Sequence, residues 1–230
     1  MDNIVDNVEK NRDKVAFVTK KEKKDWFKTV ITILDQHYPD AQCSLNFSNP
    51  LELLIATLLS AQTTDIRVNL VTKTLFKRYQ SVDDYAQADI AEVEEIIRSI
   101  GCYRVKAKHI VAGAQQLCRQ FSGKVPNQLD DLIQLPGIGR KTANVVLSNA
   151  FDTPGFPVDT HVKRVSRRLG WTRQSDPVKI ETELCRFVEP ALWGHTSHLL
   201  IYHGRQICKA RSPQCEQCPV EMQCKKVFKG

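Results

Sequence analysis

The chain has 230 residues, 42% of them hydrophobic and 26% charged, which suits one large or two small globular domains and excludes a disordered or collagen-like polymer. Its most apolar stretch, Leu51 to Leu59, contains Glu52 and Thr57 and falls far short of the ~20 residues that cross a bilayer. The balance of 33 Lys and Arg against 26 Asp and Glu gives +7 and a pI near 9.0, which favours a polyanionic partner.

Residues 1–24 are polar, carry Lys20, Lys21, Lys23 and Lys24, and show no apolar period; they are expected to form a flexible extension without the features of a secretory signal. From Trp26 a helical period sets in, with Phe27, Val30, Ile31 and Leu34, and Pro39 stops it. Pro50 opens a helix running to about Gln62, and Asp65 caps another striped by Val68, Val71, Leu75, Phe76 and Tyr79. Asp89 with Glu92 makes a capping-box start for a stripe that reaches Ile100, where Gly101 is a natural stop. Helices are also expected over 103–121, 129–135, 142–151, 160–169, 178–188 and 195–208. No segment alternates with period two, so the fold is expected to be all-α.

Charge is unevenly spread. Asp83, Asp84, Asp89, Glu92, Glu94 and Glu95 crowd one stretch, whereas Lys163, Arg164, Arg167, Arg168 and Arg173 form a basic run, which reads either as opposed acidic and basic faces or as solvated helix faces. Of the eight cysteines, Cys43, Cys102, Cys118 and Cys185 are scattered in apolar contexts and are expected to be free thiols. Cys208, Cys215, Cys218 and Cys224 fall in the pattern C-x6-C-x2-C-x5-C, a thiolate tetrad whose spacing suits zinc and an iron-sulfur cluster alike.

The segment Leu135-Pro-Gly-Ile-Gly-Arg-Lys-Thr-Ala143 lies between two short helical patterns. Gly137 and Gly139 permit positive φ and close approach of the backbone to a phosphate, and the following helix start adds unpaired donors and its dipole. Leu135 and Ile138 are expected to anchor the turn. Taken alone, the two glycines are equally those of an ordinary tight turn. A lysine in a first helical turn is ordinarily a surface residue, and Asp159 before Thr160 is ordinarily a helix cap.

Four segments together carry a resemblance. LPGIGRKTANVV at 135–146 resembles the helix-hairpin-helix of the endonuclease III family of DNA glycosylases, VDTHVKRV at 158–165 resembles its aspartate segment, and LLSAQTTD at 58–65 and the cysteine tetrad match in order and spacing. The likeness covers about Lys24 to Lys225. It implies a multi-helix domain over 43–153 with the hairpin at about 129–148, an iron-sulfur domain made of 25–42 and 154–230, and a cleft between them.

The resemblance further implies base excision repair by a bifunctional glycosylase and AP lyase, with Lys141 as nucleophile, Asp159 as its carboxylate partner and the tetrad holding a 4Fe-4S cluster. An amine that attacks the anomeric carbon expels the base and becomes a Schiff base, which permits β-elimination of the 3′ phosphate. Arg140 and the helix N-terminus favour the neutral amine, whereas an ionised Asp159 opposes it. Gly137, Gly139, Arg140 and Thr142 of the hairpin, with Lys209 and Arg211 beside the first cluster ligand, are expected to meet phosphates. Gln62 and Cys102 are expected to fill the space of an extruded base, with Cys102 standing where the family usually has a larger aliphatic residue.

An adenine-specific branch of the family uses a carboxylate where this chain has Thr57 and lacks lysine where it has Lys141, so oxidised pyrimidines and abasic sites in duplex DNA are the expected substrates. A monomer without membrane attachment, in the cytoplasm and associated with the nucleoid, completes the expectation.

Overall fold

A computed structural model of the chain describes residues 19–228, and among these it contains helices and turns but no strand. The helices are α1 (Lys20–His37), α2 (Pro50–Ser60), α3 (Asp65–Arg78), α4 (Val82–Ala86), α5 (Ile90–Ile96), α6 (Tyr103–Phe121), α7 (Leu129–Leu132), α8 (Arg140–Ala150), α9 (Thr160–Leu169), α10 (Pro177–Leu184) and α11 (Trp193–Gln206). No helix among the described residues is long and apolar enough to cross a membrane.

The chain forms two compact units, one being Cys43–Pro157 and the other made of the chain up to Gln42 together with the chain from Val158 onward. The second boundary lies a few residues beyond the 153/154 division read from the sequence. Local packing explains it: Asn144 Nδ2 of α8 donates to the Phe156 carbonyl at 3.4 Å, Phe156 is buried, and Gly155 lies against the Asn144 backbone. Residues 154–157 are thereby held to the hairpin helix.

In the Cys43–Pro157 unit, α2 is the central helix. Asn49 caps it by accepting from Glu52 N, Pro50 occupies its first turn, and Leu53 through Leu59 are all buried. A helix buried on every side shows little amphipathic contrast, which suits its packing against α3, α6 and α8. Helix α4 escaped the periodicity reading because it is five residues long, although its capping box of Ser81 and Asp84 is a legible start signal.

In the other unit, α9 and α1 pack against α11. Phe27 of α1 stacks on buried Trp171, with ring centroids 4.2 Å apart, and Trp26 Nε1 donates to the Gln223 carbonyl at 3.0 Å, which ties α1 to the cysteine segment. The flexible extension expected over 1–24 needs correction at its end: Thr19 and Glu22 form a reciprocal capping box, and Lys20 to Lys24 are the first turns of α1. These turns lack an apolar stripe because the buried face begins only at Phe27. The rest of that expectation, residues 1–18, lies outside the described residues.

Candidate active site

The hairpin is α7, a turn through Pro136 to Gly139, and α8. Ile138 N donates to the Leu135 carbonyl at 3.1 Å, and both side chains are buried, so the turn is anchored from below. Gly137 has φ +75°, the left-handed region, and a β-carbon placed there would stand 2.4 Å from His109 Nδ1. Gly139 departs from the expectation of positive φ: it has φ −93° and ψ 171°, the extended conformation of a helix N-cap. It gives α8 no side-chain cap, whereas Asn49, Thr64, Asp159 and Asp176 cap their helices. The first-turn donors of α8 therefore face outward with no capping side chain in front of them, beside exposed Arg140 and Lys141 and half-buried Thr142.

Two further loops of this unit carry predicted residues. Gln62 follows the end of α2 with φ +56°, and Cys102 precedes α6 with φ +56° and ψ 32°. Both are exposed. Left-handed backbone costs a non-glycine residue about 1–2 kcal/mol, so a side chain kept at such a position is a pointer to function. The loops are neighbours, since a β-carbon on Gly101 would stand 3.6 Å from the Gln62 carbonyl oxygen and 3.7 Å from Thr63 Oγ1. Sequence reasoning missed Lys106, which is buried with its Nζ donating to the carbonyls of Leu59 and Ala61 at 2.9 and 2.6 Å. Burial lowers its pKa, the shift a nucleophilic lysine needs, but its ammonium is engaged by backbone.

Asp159 belongs to the other unit. Its Oδ1 accepts from Val162 N at 2.8 Å, so it caps α9, and its side chain is half-buried. The basic run on α9 is more than a solvated face. Arg164 donates to the carbonyls of Gly204 and Cys208 at 2.8 and 3.1 Å, and Arg168 to those of Lys209 and Ala210 at 2.7 and 2.9 Å. These two guanidiniums hold the backbone that leads into the cysteine loop, leaving Lys209 and Arg211 exposed upon it. Desolvation lowers the pKa of Arg164.

Cys208, Cys215, Cys218 and Cys224 line one cavity with about 390 Å³ of space not filled by atoms, walled further by Val165, Leu169, Ile207 and Val220. They stand around this wall rather than converging as on a single ion, which suits a multi-iron cluster with its own sulfides better than zinc. His203 Nε2 lies 3.6 Å from Cys218 Sγ, and its Nδ1 lies 3.0 Å from Tyr38 Oη. Burial pushes the Cys218 thiol up to about 11 and raises Cys224. Bound iron is what keeps such buried sulfurs as thiolates.

Comparison with known proteins decides the family. The profile of the HhH-GPD superfamily base excision DNA repair proteins matches residues 55–190, and that of the iron-sulfur binding domain of endonuclease III matches residues 208–224. Endonuclease III of Bacillus subtilis is 49% identical over 189 residues, 82% of this chain and 86% of its own. The chain belongs to the endonuclease III family. A structure of a non-covalent endonuclease III–DNA complex is 46% identical with a TM-score of 0.83, covering 88% of this chain and 95% of that one. A trapped endonuclease III–DNA covalent intermediate matches with the same identity and TM-score, covering 88% and 96%.

As an endonuclease III family member the chain is a base excision repair DNA glycosylase and AP lyase, its partner is DNA and its cofactor is a 4Fe-4S cluster. Of the predicted residues, Gln62 and Cys102 come together on neighbouring loops. Gly137, Gly139, Arg140, Lys141 and Thr142 share the hairpin, and Asp159, Lys209, Arg211 and the cysteines share the cluster unit.

Proposed function

We propose that this endonuclease III family member excises oxidised pyrimidines from duplex DNA as a monomer acting on the nucleoid, with Lys141 as the attacking amine and Asp159 as its carboxylate partner. The observation that carries the reading is the trapped covalent intermediate of a relative 46% identical to this chain, taken with an exposed lysine in the first turn of an uncapped hairpin helix. A covalent intermediate needs a nucleophile, and Lys106, the lysine whose pKa burial lowers within the same unit, is bound to backbone carbonyls.

In this reading the neutral Lys141 amine bonds to C1′ of the damaged nucleotide as the glycosidic bond breaks, and the base leaves with the bonding pair and takes up a proton. The sugar ring then opens to a protonated Schiff base on Lys141. Loss of a C2′ proton expels the 3′ phosphate, and hydrolysis frees the amine. Asp159 Oδ1 is engaged in the α9 cap, so Oδ2 is the oxygen to stabilise developing positive charge on the sugar or to relay a proton. The hairpin backbone and α8 dipole grip phosphate, as do Lys209 and Arg211, whose loop the cluster shapes. The cluster supplies structure when bound.

Borohydride trapping on thymine-glycol and abasic duplexes tests the assignment. Lys141→Gln should abolish the adduct while duplex affinity stays within a few-fold, because one charge contributes little to the total phosphate grip. Persistent trapping by that variant would sink the nucleophile assignment, and indifference to thymine glycol would sink the substrate class.

A further inference from the structure

We propose that Lys106 is a positioning residue that locks the Gln62 loop to the Cys102 loop, so that the two probe DNA as one rigid wedge. The proposal rests on the reading of Gln62 and Cys102 as the residues that fill the space of an extruded base.

Lys106 lies in the first turn of α6, and its backbone N–H donates to the Cys102 carbonyl at 3.1 Å. Helical side chains lean toward the N-terminus, so its amine is carried back across the start of α6 to the end of α2. There it donates to Leu59 O at 2.9 Å and Ala61 O at 2.6 Å, the carbonyls on either side of Ser60 and immediately before Gln62. One residue thus bonds by its backbone to the loop of Cys102 and by its side chain to the loop of Gln62.

Burying a lysine is costly, and an apolar residue of similar length would serve packing better. What the ammonium adds is a pair of charge-assisted hydrogen bonds to carbonyls at the negative end of α2. Both loops hold an exposed non-glycine residue in the left-handed region, at φ +56° in each case. Such backbone persists where its surroundings over-determine it, and a shared amine does that for both at once. A wedge entering stacked bases has to resist the stack it opens, and two independently mobile loops would yield.

Lys106→Met keeps the length and removes the donors, and Lys106→Arg keeps donors in a different shape. In the full holo chain, hydrogen exchange should rise about tenfold together over residues 59–64 and 100–104 in Lys106→Met, with residues 135–146 unchanged, as expected when buried carbonyls lose a charged donor. Single-turnover excision of thymine glycol from a paired duplex should fall about tenfold, whereas β-elimination at a preformed abasic site changes less than about twofold. Lys106→Arg should recover part of the loss.

Increased exchange in one loop only would overturn the locking role, and increased exchange across the whole Cys43–Pro157 unit would make Lys106 a general stability residue. Gln62→Ala run alongside separates the two readings. If it is selective for the paired lesion and Lys106→Met is not, the proposal is wrong while the Gln62 reading stands. If Gln62→Ala loses both activities equally, the Gln62 reading fails and takes the wedge with it.

Discussion

Adding one methyl group at Gly137 should cost far more than adding it at Gly139, although the two glycines stand two apart in one motif. At Gly137 an alanine inherits φ +75°, which costs about 1–2 kcal/mol. Its β-carbon would also stand 2.4 Å from His109 Nδ1 and 3.0 Å from Cγ, closer than atoms pack, so the imidazole or the turn has to shift. Overpacking of this kind costs about 1–3 kcal/mol. A total near ~3 kcal/mol corresponds to a fall in Tm of roughly 6–12 °C for a chain of this size.

At Gly139, φ is −93° and nothing lies within 4 Å of the added carbon, so Gly139→Ala should stay within about 0.5 kcal/mol of the parent and lose DNA affinity instead, by standing before the α8 donors. Calorimetry of the holo chain, with hydrogen exchange over residues 129–150 to localise the effect, reads both. The double variant His109→Ala, Gly137→Ala should regain the steric part relative to His109→Ala alone and leave the backbone part. Equal Tm losses for the two glycine variants, or no recovery in the double variant, would refute the reasoning.

Asp159→Asn should keep the cap on α9, since asparagine caps as well as aspartate, and so leave Tm within a degree or two while excision falls at least tenfold; a matching loss of stability would reduce Asp159 to a cap. Burial, with His195 and Arg205 nearby, lowers His198 to a pKa of about 4. Its folded pKa lies below the unfolded 6.5, so its contribution is present above pH 6.5 and lost as pH falls toward 4, up to about 3 kcal/mol. Denaturation followed by Trp26, Trp171 and Trp193, all in that unit, should show a flatter pH dependence in His198→Asn, and an unchanged slope would contradict the assignment. Cys215→Ala should purify with substoichiometric iron and a protease-sensitive segment beyond Ile207, whereas full brown protein would remove Cys215 from the ligand set.

The sequence by itself determined what depends on near neighbours in the chain. Helix periods, the caps Asn49, Asp159 and Asp176, the anchoring of the hairpin by Leu135 and Ile138 and the grouping of the cysteines all act over a few residues, and they are where the motifs placed them. Tertiary structure decided the rest. The difference between Gly137 and Gly139 arises from His109, on another helix, and from the capping geometry of α8. Lys106 reads as one more polar residue of α6 until its partners, the Leu59 and Ala61 carbonyls, are seen beside it. Arg164 and Arg168 look like a charged helix face until the backbone at residues 204–210 folds against them. In each case a charged or flexible group gained its role from a partner remote in the chain, and a buried carbonyl, which every residue carries, leaves no mark in the sequence to announce that it needs a donor.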